Sequence, residues 1–179
     1  MSKESTVIPK TTAKEVYKIT KMISLDTSSV CSGWAYWENG ILTDHGVIDT
    51  SLIKYRDKKL DNMCKNLIHL LKAHDPDIVV IEMTVVPNNA ETQRILSEIV
   101  GVVSGWCLSQ RKSSFFYRIR PNEWRKIVCN DNEKFPHSKK AGLKEWDIQK
   151  AKDIFGFDPI DDNEADAVLM GYAYNCLFG

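Results

Sequence analysis

The sequence has no surplus charge of either sign. Its 179 residues carry 24 Lys and Arg against 24 Asp and Glu, so global charge says nothing for or against a polyanionic partner. Cysteine is present but sparse in pattern: residues 31, 64, 107, 129 and 176 form no C-x-x-C pair. That argues against a zinc site and against a disulfide framework, and reduced thiols are the simpler account. The four histidines, 45, 69, 74 and 137, show no ligand spacing. There is no P-loop, no G-x-G-x-x-G and no G-x-S-x-G, which removes the common phosphate-loop, dinucleotide and serine-hydrolase readings. No run approaches 18 apolar residues, so no membrane-spanning helix is expected. The opening stretch "MSKESTVIPKTTAKEVYKITK" has no apolar centre, so a signal peptide is not expected either. No internal repeat is visible.

What is present is an ordinary globular composition, 43% hydrophobic and 27% charged, in a length that suits one domain. The charge is unevenly placed. Residues 110–152 hold twelve Lys or Arg against five Asp or Glu, while acids gather in "DPIDDNEAD" near the C-terminus. A basic segment beside an acidic cluster suits a protein holding a polyanion against bound cations, or it is simply a pair of solvated faces.

Periodicity orders the chain as βββ-α-β-α-β-α-α-α, after a polar N-terminal extension over residues 1–20. Residues 22–26 read as a strand. Residues 33–38 and 41–49 flank Asn39-Gly40, a strong hairpin signal, so an antiparallel meander is expected. A helical period covers 54–74. "IVVIE" at 78–82 is a strand buried on both faces. A long helix spans 89–110, "SFFYRIR" is a strand with Phe115 and Phe116 assigned to the core, and Pro121 opens a short helix. A polar loop covers 130–141, a helix 143–155, and a last helix begins at "IDDNEADA", where Asp161 and Glu164 have capping-box spacing. The fold class is α/β, a mixed sheet flanked by helices.

Three acids stand where cores avoid charge. Asp26 ends the first strand, Glu82 ends "IVVI", and Asp166 lies between Ala165 and Ala167 in the last helix, with Asp162 one turn earlier. Each has a bland alternative: Asp26 as a turn residue, Glu82 as a polar strand end, Asp161 and Asp162 as caps. Together they suggest a different purpose. Carboxylates on adjacent strand ends repel unless a cation sits among them, and hard oxygen donors suit Mg²⁺ or Mn²⁺. Residues 162 and 166 share a helix face, as do 163 and 166. Two divalent ions held about 3.5–4 Å apart are suited to phosphodiester hydrolysis.

These segments, "MISLDTSSVCSGWAYW", "PDIVVIE", "NAETQRILSEIVGVVSGWC", "RPNEWRK" and "DDNEADAVLMGYA", resemble the RNase H-like nuclease superfamily, and within it the RuvC-type Holliday junction resolvases of the compact phage kind. The resemblance covers residues 22–177. It implies a five-stranded RNase H-like sheet over 21–179, a homodimer, and Mg²⁺-dependent cleavage of branched DNA such as four-way junctions, in the cytoplasm of a bacterial or phage-infected cell. It implies metal ligation by Asp26, Glu82 and Asp166. The family's fourth ligand, an Asp or His three residues before the last Asp, is here Asn163; Asn163 itself, Asp162 or Glu164 are the alternatives. The aromatic wedge of cellular members is here Val85, beside Val86. For phosphate contacts the candidates are Arg125, Lys126, Lys139, Lys140 and Lys144. Two other readings remain open: a junction-binding accessory protein without catalysis, for which Asn163 argues, and half of an actin-like or sugar-kinase ATPase, for which "LDTSS" argues.

Overall fold

The computed structural model describes residues 20–83, 89–110, 115–129 and 140–179. The expected extension before residue 20, the Val85–Val86 wedge, Lys139 and the side chain of Lys140 lie outside them. Five strands form one sheet in the order β3-β2-β1-β4-β5: β1 (Lys21–Asp26), β2 (Cys31–Glu38), β3 (Ile41–Asp49), β4 (Ile78–Glu82) and β5 (Phe115–Ile119). β1 pairs antiparallel with β2 and parallel with β4, and β4 pairs parallel with β5. The meander turns where expected, with Asn39 and Gly40 at φ 51° and 80°, the left-handed pair a tight hairpin needs.

Alternation along the strands divides the core. Met22, Ile78 and Val80 pack with α3 (Pro121–Val128), α4 (Lys140–Phe155) and α5 (Asp162–Phe178). Ile23, Leu25, Val79 and Ile81 pack with α1 (Arg56–His74) and α2 (Ala90–Ser109). Asp26 and Glu82 continue the even-numbered series, so the pleat aims both toward α3 and α5. The parallel register Leu25↔Ile81, taken one step further, sets Asp26 beside Glu82.

The same topology brings helix starts to that edge. β1, β3, β4 and β5 all end there, so α1, α2 and α3 begin there, and ligand sites in α/β sheets lie outside the carboxyl ends of the strands. The start of α5 reaches the edge by close contact. A Cβ on Gly33 would lie 1.8 Å from the Asn163 carbonyl oxygen, and one on Gly171 would lie 2.3 Å from Trp37 Nε1. Only glycine at these two positions lets α5 lie this close to β1 and β2.

Most expected elements form within one or two residues of their bounds. α1 starts at Arg56 rather than 54, and α4 starts at Lys140, inside the stretch expected as loop. Phe115, expected in the core, is 53% exposed at the start of β5, an edge strand. Among the described residues no helix is long and apolar enough to cross a membrane.

Candidate active site

Asp26, Glu82 and Asp166 converge at the carboxyl ends of β1 and β4. Each is partly buried, and each carboxyl is pushed above its ordinary pKa. For Asp26 burial is the main cause, followed by the negative charges of Glu82 and Asp162, with Arg125 opposing. For Asp166 burial again leads, then the charges of Asp26 and Asp147. For Glu82 burial outweighs the Trp124 hydrogen bond and the Arg125 charge that favour ionisation. Carboxyls that raise one another's pKa are close enough to repel, and a cation among them removes the penalty.

α3 supplies the supports. Trp124 is fully buried, and its Nε1 donates to Glu82 Oε1 at 3.0 Å. Its neighbour Arg125 lies with Cζ 4.2 Å from the Trp124 ring centroid. Arg125 donates from Nε and Nη2 to the two Asp147 oxygens at 3.0 and 2.7 Å, and from Nη2 to Asp166 Oδ2 at 3.1 Å. A bidentate pair of this kind fixes the guanidinium plane. Arg125 was expected as a phosphate contact. The structure corrects this: Arg125 is buried, because α3 packs on α5 and Asp147 of α4 draws the side chain inward.

The first turn of α5 sorts its polar residues. Asp161 is the N-cap and accepts from the Glu164 N–H at 3.0 Å. Asn163 Nδ2 donates to Asp161 Oδ2 at 2.9 Å, so the side chain standing in the family's fourth-ligand position is occupied with the cap. Glu164 completes no capping box. Its Oε1 meets His45 Nδ1 at 2.7 Å and its Oε2 accepts from the Ile160 N–H at 2.5 Å. Of the fourth-ligand alternatives Asp162, Asn163 and Glu164, Asp162 is the one whose charge acts on Asp26, and it pairs with Lys144. Lys144, a candidate phosphate contact, therefore has an acid of the site as its partner. Lys126 is exposed on α3.

Two buried side-chain oxygens among the described residues have no hydrogen-bond partner: Asp166 Oδ1 and Thr27 Oγ1, the latter next to Asp26. Native proteins leave few buried polar atoms unpaired, and a pair flanking an acid cluster fits a bound cation or substrate. The donor set, all hard carboxylate oxygens, fits Mg²⁺ or Mn²⁺. Among the described residues no three His, Cys, Asp or Glu are already gathered as a metal-ligand set. Two of the acids have protein cations as partners, Asp162 with Lys144 and Asp166, through Oδ2, with Arg125.

Comparison with solved structures yields consistent neighbours. RuvC from Thermus thermophilus, in complex with a Holliday junction substrate, superposes with a TM-score of 0.67 at 13% identity, over 88% of this chain and 93% of that one. The chain has a RuvC-like fold. Fowlpox virus resolvase, in complex with its substrate Holliday junction DNA, gives 0.57 at 15% identity over 89% and 100% of the two chains. The yeast mitochondrial Holliday junction resolvase gives 0.61 at 10% over 90% and 81%. No family model and no curated protein matches the sequence. The expected RNase H-like mixed sheet is thus the observed one. Within this RuvC-like fold, sequence reasoning missed Asp147, whose role depends on a contact 22 residues away, and the support that Trp124 gives Glu82. The Trp124-Arg125 step in "RPNEWRK" was the available signal.

Proposed function

We propose that the protein is a Mg²⁺-dependent endodeoxyribonuclease that cleaves branched DNA such as four-way junctions, acting as a homodimer in the cytoplasm of a bacterial or phage-infected cell. The observation that carries this reading is the convergence of Asp26, Glu82 and Asp166 at one sheet edge of a RuvC-like fold, with Asp166 Oδ1 buried and unpartnered. Asp26, Glu82 and Asp166 would hold the metal, with Asp162 as fourth ligand in preference to Asn163. A divalent ion there supplies Lewis-acid polarisation of the phosphate and a lowered pKa for water.

The protein's own residues do the positioning. Trp124 holds Glu82 in one orientation through Nε1. Arg125, clamped by Asp147, anchors Asp166 Oδ2 and leaves Oδ1 for the metal. The partly buried setting limits competing water and strengthens every charge interaction in the site. Lys126, Lys139 and Lys140 contribute positive charge for the DNA backbone. Water attacks the scissile phosphorus in line as the opposite P–O bond breaks; the water's proton passes to solvent, the departing sugar oxygen takes one up to leave as a hydroxyl, and no covalent protein intermediate forms.

The test is a labelled four-way junction incubated with protein and Mg²⁺. The wild type cuts it; Asp26→Asn binds it with similar affinity and does not cut. Binding without cutting by the wild type would favour the accessory reading. Loss of both folding and binding in Asp26→Asn would make Asp26 structural.

A further inference from the structure

A second basic region lies at the same sheet edge, on the opposite face from the acids. The β1–β2 turn and the starts of α1 and α2 enclose a cleft of about 260 Å³. Lys54, Arg56 and Lys59 line it, with Ser29 and Thr92 as neutral polar groups and Leu60 among its apolar contacts. No carboxylate lines it. Arg56 is paired with Glu91, whereas among the described residues no acid pairs with Lys54 or Lys59. The adjoining Tyr55 is 61% exposed, with Lys54 and Lys58 Nζ at 6.0 and 5.3 Å from its ring centroid.

Position makes this more than a solvated helix start. Ser29 belongs to the turn that follows Asp26 and Thr27, so the cleft begins where the acid cluster ends. On the other face of the sheet, half-exposed Lys144 lies beside the acids, paired with Asp162 and within the field of Asp166 and Asp26. The carboxylates therefore lie between two cationic regions. A polyanion crossing the sheet edge is held on both sides and presents one linkage to the acids between them. Lys54 and Lys59, with no acid partner among the described residues, beside the Glu91-paired Arg56, complement a chain of phosphates.

We propose that the Lys54–Arg56–Lys59 cleft binds phosphates of the DNA backbone flanking the scissile linkage. The proposal rests on the nuclease reading and adds a site that reading does not contain. The cleft contributes sequence-independent affinity and fixes the direction in which the strand leaves the acids. Its contribution is electrostatic and therefore salt-dependent.

The test measures binding of a fluorescent four-way junction by anisotropy, in EDTA, from about 50 to 200 mM salt. Lys54→Ala/Lys59→Ala is compared with Lys21→Gln/Lys72→Gln, whose lysines lie at the opposite end of the sheet. The cleft variant is expected to bind roughly tenfold more weakly at low salt, with the log–log salt slope shallower by about 1–2, while the control keeps the wild-type slope. Lys54 is exposed, so single Lys54→Gln repeats the test if the double variant misfolds, with a slope change of about 1. Wild-type binding that the cleft variant retains, or an equal loss in the control, overturns the cleft and leaves the nuclease reading standing. A wild type that binds no junction, fork or duplex overturns both.

Discussion

Glu164 and Asp166 are two residues apart on one helix and have opposite surroundings. Glu164 is 2% exposed, and both of its oxygens are satisfied, one by His45 and one by the Ile160 N–H. His45 in turn stacks on Phe157 with ring centroids 4.0 Å apart. Asp166 has one oxygen on Arg125, the other without a partner, and the charges of Asp26, Asp147 and Glu82 around it. A fully paired buried acid stabilises the fold by linking α5 to β3. An acid with one oxygen unpartnered and like charges around it is costly to the fold, which is what the proposed metal would offset. The contrast sets a fully satisfied acid against an unsatisfied one in a segment where composition alone shows no difference.

The comparison is broken most directly by truncating each residue in turn. Asp166→Asn should lower junction cleavage by about 10²–10³-fold or more while the folded protein keeps its melting temperature, as measured by single-turnover cleavage and by thermal unfolding. Glu164→Ala should do the reverse. Losing two hydrogen bonds to a buried carboxylate costs about 2–3 kcal/mol, a fall of roughly 5–10 °C in Tm at this chain length. If Asp166→Asn unfolds the protein, or Glu164→Ala abolishes cleavage in protein that remains folded, the division is wrong.

Asp147 sharpens the boundary, because it is fully paired yet sits one contact away from Asp166. Asp147→Asn removes the carboxylate that clamps Arg125 and lets the guanidinium engage Asp166 more fully. Supporting groups of this kind typically change metal affinity about 10–100-fold. The Mg²⁺ concentration for half-maximal cleavage should rise by about that factor, and calorimetric titration of Mg²⁺ without DNA should show the same weakening. An unchanged Mg²⁺ requirement would make Asp147 purely structural.

Much of this was legible in the sequence where local pattern and topology agree. A strand that alternates into Asp26, a continuous apolar run ending in Glu82, and Asn39-Gly40 between two strands each signal their place without knowledge of the rest. Asp166 stood out because alanines flank it at the start of a helix that had to be buried. What was not legible depends on side-chain direction set by tertiary packing. Arg125 and Lys126 are neighbours in a basic stretch, yet one is clamped inside by Asp147 and the other is exposed. Asn163 occupies the expected ligand position by spacing but bonds to the cap residue, because the approach of α5 to Gly33 fixes how its first turn is presented. The cations at 54–59 read as an ordinary helix start, and only the fold shows them sharing an edge with the acids. Phe115 was assigned to the core by composition, and its edge-strand position exposes it.

The smallest expected effect is a pH dependence, and it follows from the same repulsion. Burial and neighbouring charge raise the folded-state pKa of Asp26 well above its ordinary value of 3.8. Below that value Asp26 is protonated in both states and contributes no difference. As pH rises from 3.8 through the raised value, the unfolded chain releases its proton first, so the folded state loses stability relative to the unfolded one. Asn at this position cannot ionise. In EDTA, the difference in Tm between Asp26→Asn and wild type should therefore be near zero at acid pH and grow in favour of the variant toward neutrality. If Asp26 is a metal ligand as proposed, Mg²⁺ should raise the wild-type Tm and leave Asp26→Asn nearly unmoved. A variant less stable than wild type at neutral pH would mean that Asp26 stabilises the fold, as Glu164 does, and the contrast between the two kinds of acid would then not extend beyond α5.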